Sequence, residues 1–204
     1  MRPVKSRVGT LRADRAAATR KRILDAARQR FAKAGYATTT LRDIADAAGV
    51  AVQTVYAIFG SKGAILRALR DSVVDHPGAA DAYRAALASE EPELALRSFA
   101  RSIRLRWDGN HDIVSAVGKA AAADPSISTE LATALRARRR GIRQLAERVA
   151  ALASMEADRV EAILDALTMP ELYQQLVDVH NWAPDAYEVW LGNALVELVL
   201  TEPG

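Results

Sequence analysis

The chain has 204 residues, half of them hydrophobic, enough to bury a sizeable core in one large or two small domains. It contains no cysteine, which excludes a disulfide framework and cysteine-ligated zinc and makes a reducing cytoplasm the simplest setting. The net charge of +3 conceals an asymmetry: residues 1–62 hold 13 Lys+Arg against 4 Asp+Glu, or +9, and the remainder holds 15 against 21, or −6. A basic head on an acidic body points to a polyanion met by the head alone.

No run of 18 or more apolar residues is present, so no membrane span is expected. The basic N-terminus, MRPVKSRVGTLRADR, is not followed by an apolar stretch of signal-peptide type. Aromatics make up only 5%, alanine is abundant and alternating β-branched runs are missing, so the chain reads as all-α.

Residues 1–14 read as a flexible basic arm, with Pro3 and Gly9 and little periodicity. Within it, Arg2, Lys5, Arg7 and Arg12 suit a solvated tail better than a minor-groove arm. From Ala16 to Ala34 the pattern is helical, with Ile23, Ala27 and Phe31 every four residues and Leu24 beside them. Arg20, Lys21, Arg28 and Arg30 lie off that stripe, and Gly35 is a natural stop. Thr40 reads as an N-cap, with Asp43 three residues on as a capping-box variant. Leu41, Ile44, Ala45 and Ala48 give the next short helix a buried side, and Gly49 ends it. A third helix, about Val52–Phe59, buries Val55 and Phe59 and leaves Gln53, Thr54 and Tyr56 outward. Gly60-Ser61 breaks the chain, and Ser61 can cap a helix starting at Lys62.

Pro77 and Gly78 mark the next interruption. Leu96, Phe99, Ile103 and Trp107 then form one stripe, and Asp108-Gly109-Asn110 is a turn. Asp124-Pro125-Ser126 opens a long helix whose Ile127, Leu131, Leu135, Ile142, Leu145, Val149 and Leu152 follow a near-heptad pattern. Arg138-Arg139-Arg140 on it reads as a solvated face. Another helix runs from about Glu156, and Pro170 predicts a kink or a fresh start. Trp182-Ala183-Pro184 is a turn before a last helix carrying Tyr187, Trp190, Leu191, Ala194, Leu195, Leu198 and Val199.

The stretch GYATTTLRDIADAAGVAVQTVYAIFGSK resembles the DNA-binding domain of the TetR family of transcriptional regulators. The matches are Gly35-Tyr36, Thr40, Ile44-Ala45, Ala48-Gly49-Val50, Thr54-Val55-Tyr56, Phe59 and Ser61-Lys62, about 50 residues in all. Ala51 departs from the pattern where serine is frequent, Ile58 where an aromatic or histidine is common, and Gly63 sits within the next helix. The resemblance implies a three-helix helix-turn-helix domain over residues 15–61 and a larger helical ligand-binding and dimerisation domain over residues 62–204. It also implies a homodimer on a near-palindromic DNA operator, released by a small-molecule effector; no cofactor, metal or membrane partner is expected.

In a helix-turn-helix, the second helix of the motif enters the major groove. Val52 opens that helix here; Gln53 suits adenine, and Thr54 a base edge or a thymine methyl. Tyr56 could reach phosphate or sugar, or be partly buried instead. Thr40 could touch phosphate or act as a cap only, Lys62 could pair with phosphate beside a helix N-terminus, and Arg42 is a further candidate. Phe99, Ile103, Trp107, His111, Met169 and Tyr173 are the candidate effector pocket, with core packing the alternative for each. Leu172, Leu176, Tyr187, Trp190, Leu191, Ala194, Leu195 and Leu198 are the candidate dimer face, with closure of the monomer core the alternative.

Two other functions are weighed against this one. An enzyme is disfavoured because His76, His111 and His180 lie far apart and no H-E-x-x-H, G-x-S-x-G or phosphate-loop pattern occurs. A helical protein-binding adaptor has no need of the basic head, and its binding would lack the steep salt dependence of DNA contacts.

Overall fold

Proline sets the helix starts. Pro77, Pro92, Pro125, Pro170 and Pro184 each stand in the first turn of a helix, where the missing N–H costs nothing and the fixed φ is already helical. Side-chain caps supply the rest. His76 Nδ1 accepts from the Ala79 N–H, Asp124 Oδ1 from the Ser126 N–H at 2.9 Å and Ser61 Oγ from the Ala64 N–H at 3.1 Å.

The computed structural model describes residues 6–74, 76–122 and 124–201. In chain order they form α1 (Ser6–Ala34), α2 (Leu41–Ala48), α3 (Val52–Phe59), α4 (Lys62–Val74), α5 (Pro77–Ala88) and α6 (Pro92–Trp107). There follow α7 (His111–Ala121), α8 (Pro125–Ala153), α9 (Ala157–Leu167), α10 (Pro170–Tyr173), a π-helical segment (Gln174–Val179) and α11 (Pro184–Leu200). No strand occurs among the described residues.

Helices α1, α2 and α3 form the head, with Ile23, Ala27, Phe31, Ile44, Ala45 and Val55 at its centre. In the body α5 lies along α6, α6 along α11, and α8 along α9. Helix α4 packs on α1 and α3 on one side and on α6 and α7 on the other, and its Ile65, Leu66 and Leu69 join the two parts into one hydrophobic core. Ion pairs also tie α1 and α4 to the body. Arg28 of α1 grips Asp112 of α7 with both Nε and Nη2 at 2.7 Å, and Arg67 of α4 reaches Glu130 of α8 at 2.8 Å with Arg70 at 3.6 Å.

The structure departs from the sequence reading in four places. Helix α1 begins at Ser6, so residues 6–14 of the expected arm are its first turns; residues 1–5 lie outside the described residues. Residues 13–18 are exposed all round, which is why no apolar stripe announced that stretch as helix. On α8, Leu135 and Leu152 are exposed although they fit the heptad, because burial also requires a neighbour to cover that stretch. Arg138 is not solvated like Arg139 and Arg140: it turns inward to pair with Asp165 and donates to the Thr168 hydroxyl at 3.0 Å. Pro170 makes a fresh start, but the helix it opens runs into the π-helical segment, for which the sequence gives no signal.

Gly63 lies in the first turn of α4, and a Cβ there would meet nothing closer than 3.7 Å. Replacing Gly63 with alanine is therefore expected to raise stability by a few tenths to about 1 kcal/mol, read as a higher denaturant midpoint with an unchanged slope.

Candidate nucleic-acid interface

The head is organised around the two turns that flank α2. At its start Thr40 is extended, and its Oγ1 accepts from the Asp43 N–H at 3.1 Å. The Asp43 carboxylate in return accepts from the Thr40 N–H at 2.8 Å and from the Thr40 hydroxyl at 2.6 Å. These bonds hold the Asp43 pKa below its ordinary value, the Thr40 hydroxyl contributing most. A depressed carboxylate adds stability above its unfolded pKa and loses it as pH falls through the folded one, so the box is complete at neutral pH. Thr40 is thus a cap whose hydroxyl proton already has an acceptor.

At the other end Gly49 takes the left-handed conformation at φ 64°, and Val50 donates back to Ala45 O at 3.0 Å. Val50 packs into the core, and Ala51, extended at φ −66° and ψ 144°, begins α3 without any side-chain cap. That tight turn aims α3 outward. Val55 is fully buried, whereas Gln53 is exposed and Tyr56 is 56% exposed, which excludes a core role for Tyr56. Thr54 is half-buried, and Val52 packs against the core, so its side chain is not free to touch a base. Arg42 is exposed on α2. Arg20 of α1 lies over the Phe59 ring at 4.5 Å, a cation added to the same end of the head.

Lys62 has a different task from the one its position suggested. Its ammonium donates to the carbonyls of Tyr36 at 2.6 Å, Ala37 at 3.2 Å and Thr39 at 2.9 Å, and it lies 4.3 Å from the centre of the Tyr36 ring. All three of its protons are engaged, which leaves none for a phosphate. Burial pushes its pKa down, with the Asp124 carboxylate acting in the opposite sense. It ties the start of α4 to the turn between α1 and α2.

The residues expected to line an effector pocket are mostly packed as core. Phe99, Ile103, Trp107 and Tyr173 are buried, Met169 is exposed, and the side chain of His111 lies outside the described residues. Trp107 Nε1 donates to Thr168 O, and Tyr173 stands edge-on to Tyr187 at 4.9 Å. An open cleft lies instead between α4, α7 and α8, lined by Gly63, Leu66, Arg67, Arg70, Val117, Ile127 and Glu130. Of the expected dimer face, Tyr187, Leu191 and Leu195 are fully buried within the monomer, because α6 and α9 cover that side of α11. Leu172, Leu176, Trp190 and Ala194 are half-buried and Leu198 is exposed; Val179 and Val189, at 57% and 60% exposed, add apolar surface outside that set.

A short capped helix, a glycine turn and an outward-facing second helix, set on an all-α body, define a helix-turn-helix protein. Residues 23–69 match the family described as bacterial regulatory proteins, tetR family. Over 55 residues the chain is 46% identical to the HTH-type transcriptional regulator TtgR of Pseudomonas putida, a stretch covering 27% of this chain and 26% of TtgR. The curated relatives are thus matched over about a quarter of their length. The fold as a whole is like that of PfmR, a TetR family transcriptional regulator from Thermus thermophilus, with TM-score 0.66 and 24% identity over 90% of this chain and 97% of that one. It is also like that of NalD, the secondary repressor of the MexAB-OprM multidrug efflux pump in Pseudomonas aeruginosa, with TM-score 0.65 and 19% identity over 93% and 100%. The tetR-family match is thus to the head and α4, residues 23–69, and over the body the likeness is one of fold.

Ala51 already has the extended backbone of an N-cap but no oxygen to offer. Ala51→Ser is expected to stabilise the protein by about 1 kcal/mol, measured by chemical denaturation; no gain would mean that the α3 N-terminus is already satisfied.

Proposed function

We propose that the protein is a cytoplasmic transcriptional repressor that binds a near-palindromic operator as a homodimer and is released by a small-molecule effector. The observation that carries this is the free outer face of α3, on which Gln53 and Tyr56 stand clear of the core at the basic end of the chain. On this reading α3 lies in the major groove, with Gln53 and Thr54 at base edges. Tyr56, Arg42 and Arg20 reach the sugar–phosphate backbone, Thr40 caps α2 beside it, and Lys62 acts through the turn that it holds.

A palindromic site needs two heads about one helical turn apart, ~34–36 Å or a multiple of it. The pairing surface we propose is the outer side of α11 with the adjoining π-helical segment, where Val179, Val189 and half-buried Trp190 leave apolar area uncovered. An effector that prefers one spacing of the heads shifts the dimer toward it and changes DNA affinity by the ratio of its affinities for the two states. Repression is favoured over activation by the likeness to NalD, whose name describes a repressor.

Selection of bound fragments from a genomic DNA pool, repeated at two salt concentrations, tests the reading. An enriched inverted repeat with steeply salt-dependent binding is expected; tight binding that ignores salt would sink it. Tyr56→Ala is expected to weaken binding to that site at least tenfold with the dimer intact. Lys62→Met is expected to weaken it to a similar degree while also lowering the melting temperature, because its work is structural. Val189→Arg is expected to split the dimer in analytical ultracentrifugation and to abolish operator binding at nanomolar protein.

A further inference from the structure

Most of the positive charge of the head lies outside its helix-turn-helix. Residues 1–22 hold 8 Lys+Arg against 1 Asp+Glu, or +7, whereas residues 23–62 hold 5 against 3, or +2. The charged part is the start of α1, which is helical from Ser6. Residues 13–18 are exposed on every side, Thr19 is half-buried, and Ile23 is the first buried residue described on α1. At 1.5 Å per residue, residues 6–18 add roughly 20 Å of helix ahead of the packed part. A helix of that length with no core to lie on is marginal in water, and its like charges repel one another.

The composition of the segment says what would complete it. From Arg12 to Arg22 the sequence RADRAAATRKR has no apolar side chain larger than alanine. A protein groove or an acyl layer would find no hydrophobic anchor there, whereas a row of phosphates needs none. Position agrees with charge. Arg20, at the inner end of the segment, lies over the ring of Phe59, the last residue of α3. The segment therefore leaves the head beside the end of the helix assigned above to the major groove. We propose that residues 6–22 are a second DNA-binding element, which lies along the phosphates of the duplex flanking each half-site. It responds to charge and not to base sequence. Roughly 20 Å of helix spans about six base pairs at ~3.4 Å each. The element rests on the function proposed above, since α3 brings the duplex to it.

The test uses the full chain and two forms of the selected inverted repeat, one with about ten base pairs of arbitrary duplex on each side and one trimmed flush. Wild type is expected to bind the flanked form at least tenfold more tightly. The triple variant Arg7→Gln, Arg12→Gln, Arg15→Gln is expected to abolish that preference while binding the trimmed form as wild type does. Glutamine keeps the helix propensity, so the melting temperature is expected to hold. On the flanked form the slope of log affinity against log salt is expected to fall by up to about 5, from three charges in each of two subunits. A matched variant, Arg136→Gln, Arg139→Gln, Arg140→Gln, takes the same charge from exposed positions on α8 and is expected to keep the flank preference. Amide exchange at residues 13–18 is expected to slow on the flanked form and not on the trimmed one.

Four results overturn the proposal. The first is wild-type binding that ignores the flanks, and the second is equal loss by the α1 variant on both forms. The third is the same loss of preference in the α8 variant, which marks net charge as the cause. The fourth is dissociation of the dimer by the α1 variant, which assigns this face to a second copy of the chain. Failure of wild type to select any DNA overturns the repressor reading and this element with it. Flank-blind binding overturns this element alone.

Discussion

The geometry of the head depends on one ammonium group. Lys62 holds three backbone carbonyls of the turn between α1 and α2, and the Tyr36 ring shields it from one side. Partial burial of a lysine is costly unless its protons are matched, and here each has an acceptor. The turn in question leads directly into the Thr40–Asp43 box that starts α2, and Tyr36 itself packs on Phe31 at 5.3 Å. One side chain at the first position of α4 therefore fixes where α1 ends, where α2 begins and how α4 leaves the head. The direction of α3 is inherited from these, since it hangs on α2 through a three-residue turn.

The same economy couples head to body. There is no flexible linker between them: α4 belongs to both, its apolar face runs into a single core, Arg67 pairs it with Glu130 of α8, and Arg28–Asp112 ties α1 directly to α7. A change in how α4 lies against α7 and α8 reaches the α1–α2 turn through Lys62 without any intermediate element. The cleft lined by Gly63, Arg67 and Glu130 sits at that joint.

Much of this was legible in the chain because it is written in local chemistry. The box at Thr40, the left-handed Gly49, the Ser61 cap and the bounds of α3 follow from residue types whose preferences act over three or four positions, and the structure has each of them. What escaped was non-local. Lys62 has the same sequence neighbours whether it faces a phosphate or folds back on a turn 23 to 26 residues earlier, and only the tertiary position of that turn decides. Tyr187, Leu191 and Leu195 form as good a stripe for a partner as for α6. A helix that is apolar on more than one side does not say which side is covered by its own chain, so Val189 was passed over.

The bracing pairs have a consequence for anyone who titrates salt against this protein. Arg28–Asp112 and Arg67–Glu130 are partly open to solvent, with side chains 25% to 40% exposed, so added ions screen them. If DNA is the ligand, salt then acts twice: once by competing at the phosphates, and once by loosening the heads that must stay in register. The slope of log affinity against log salt, usually converted into a number of phosphates touched, would come out steeper than the contacts alone require. Counting contacts from that slope is sound only after the braces have been replaced by pairs that ions do not screen.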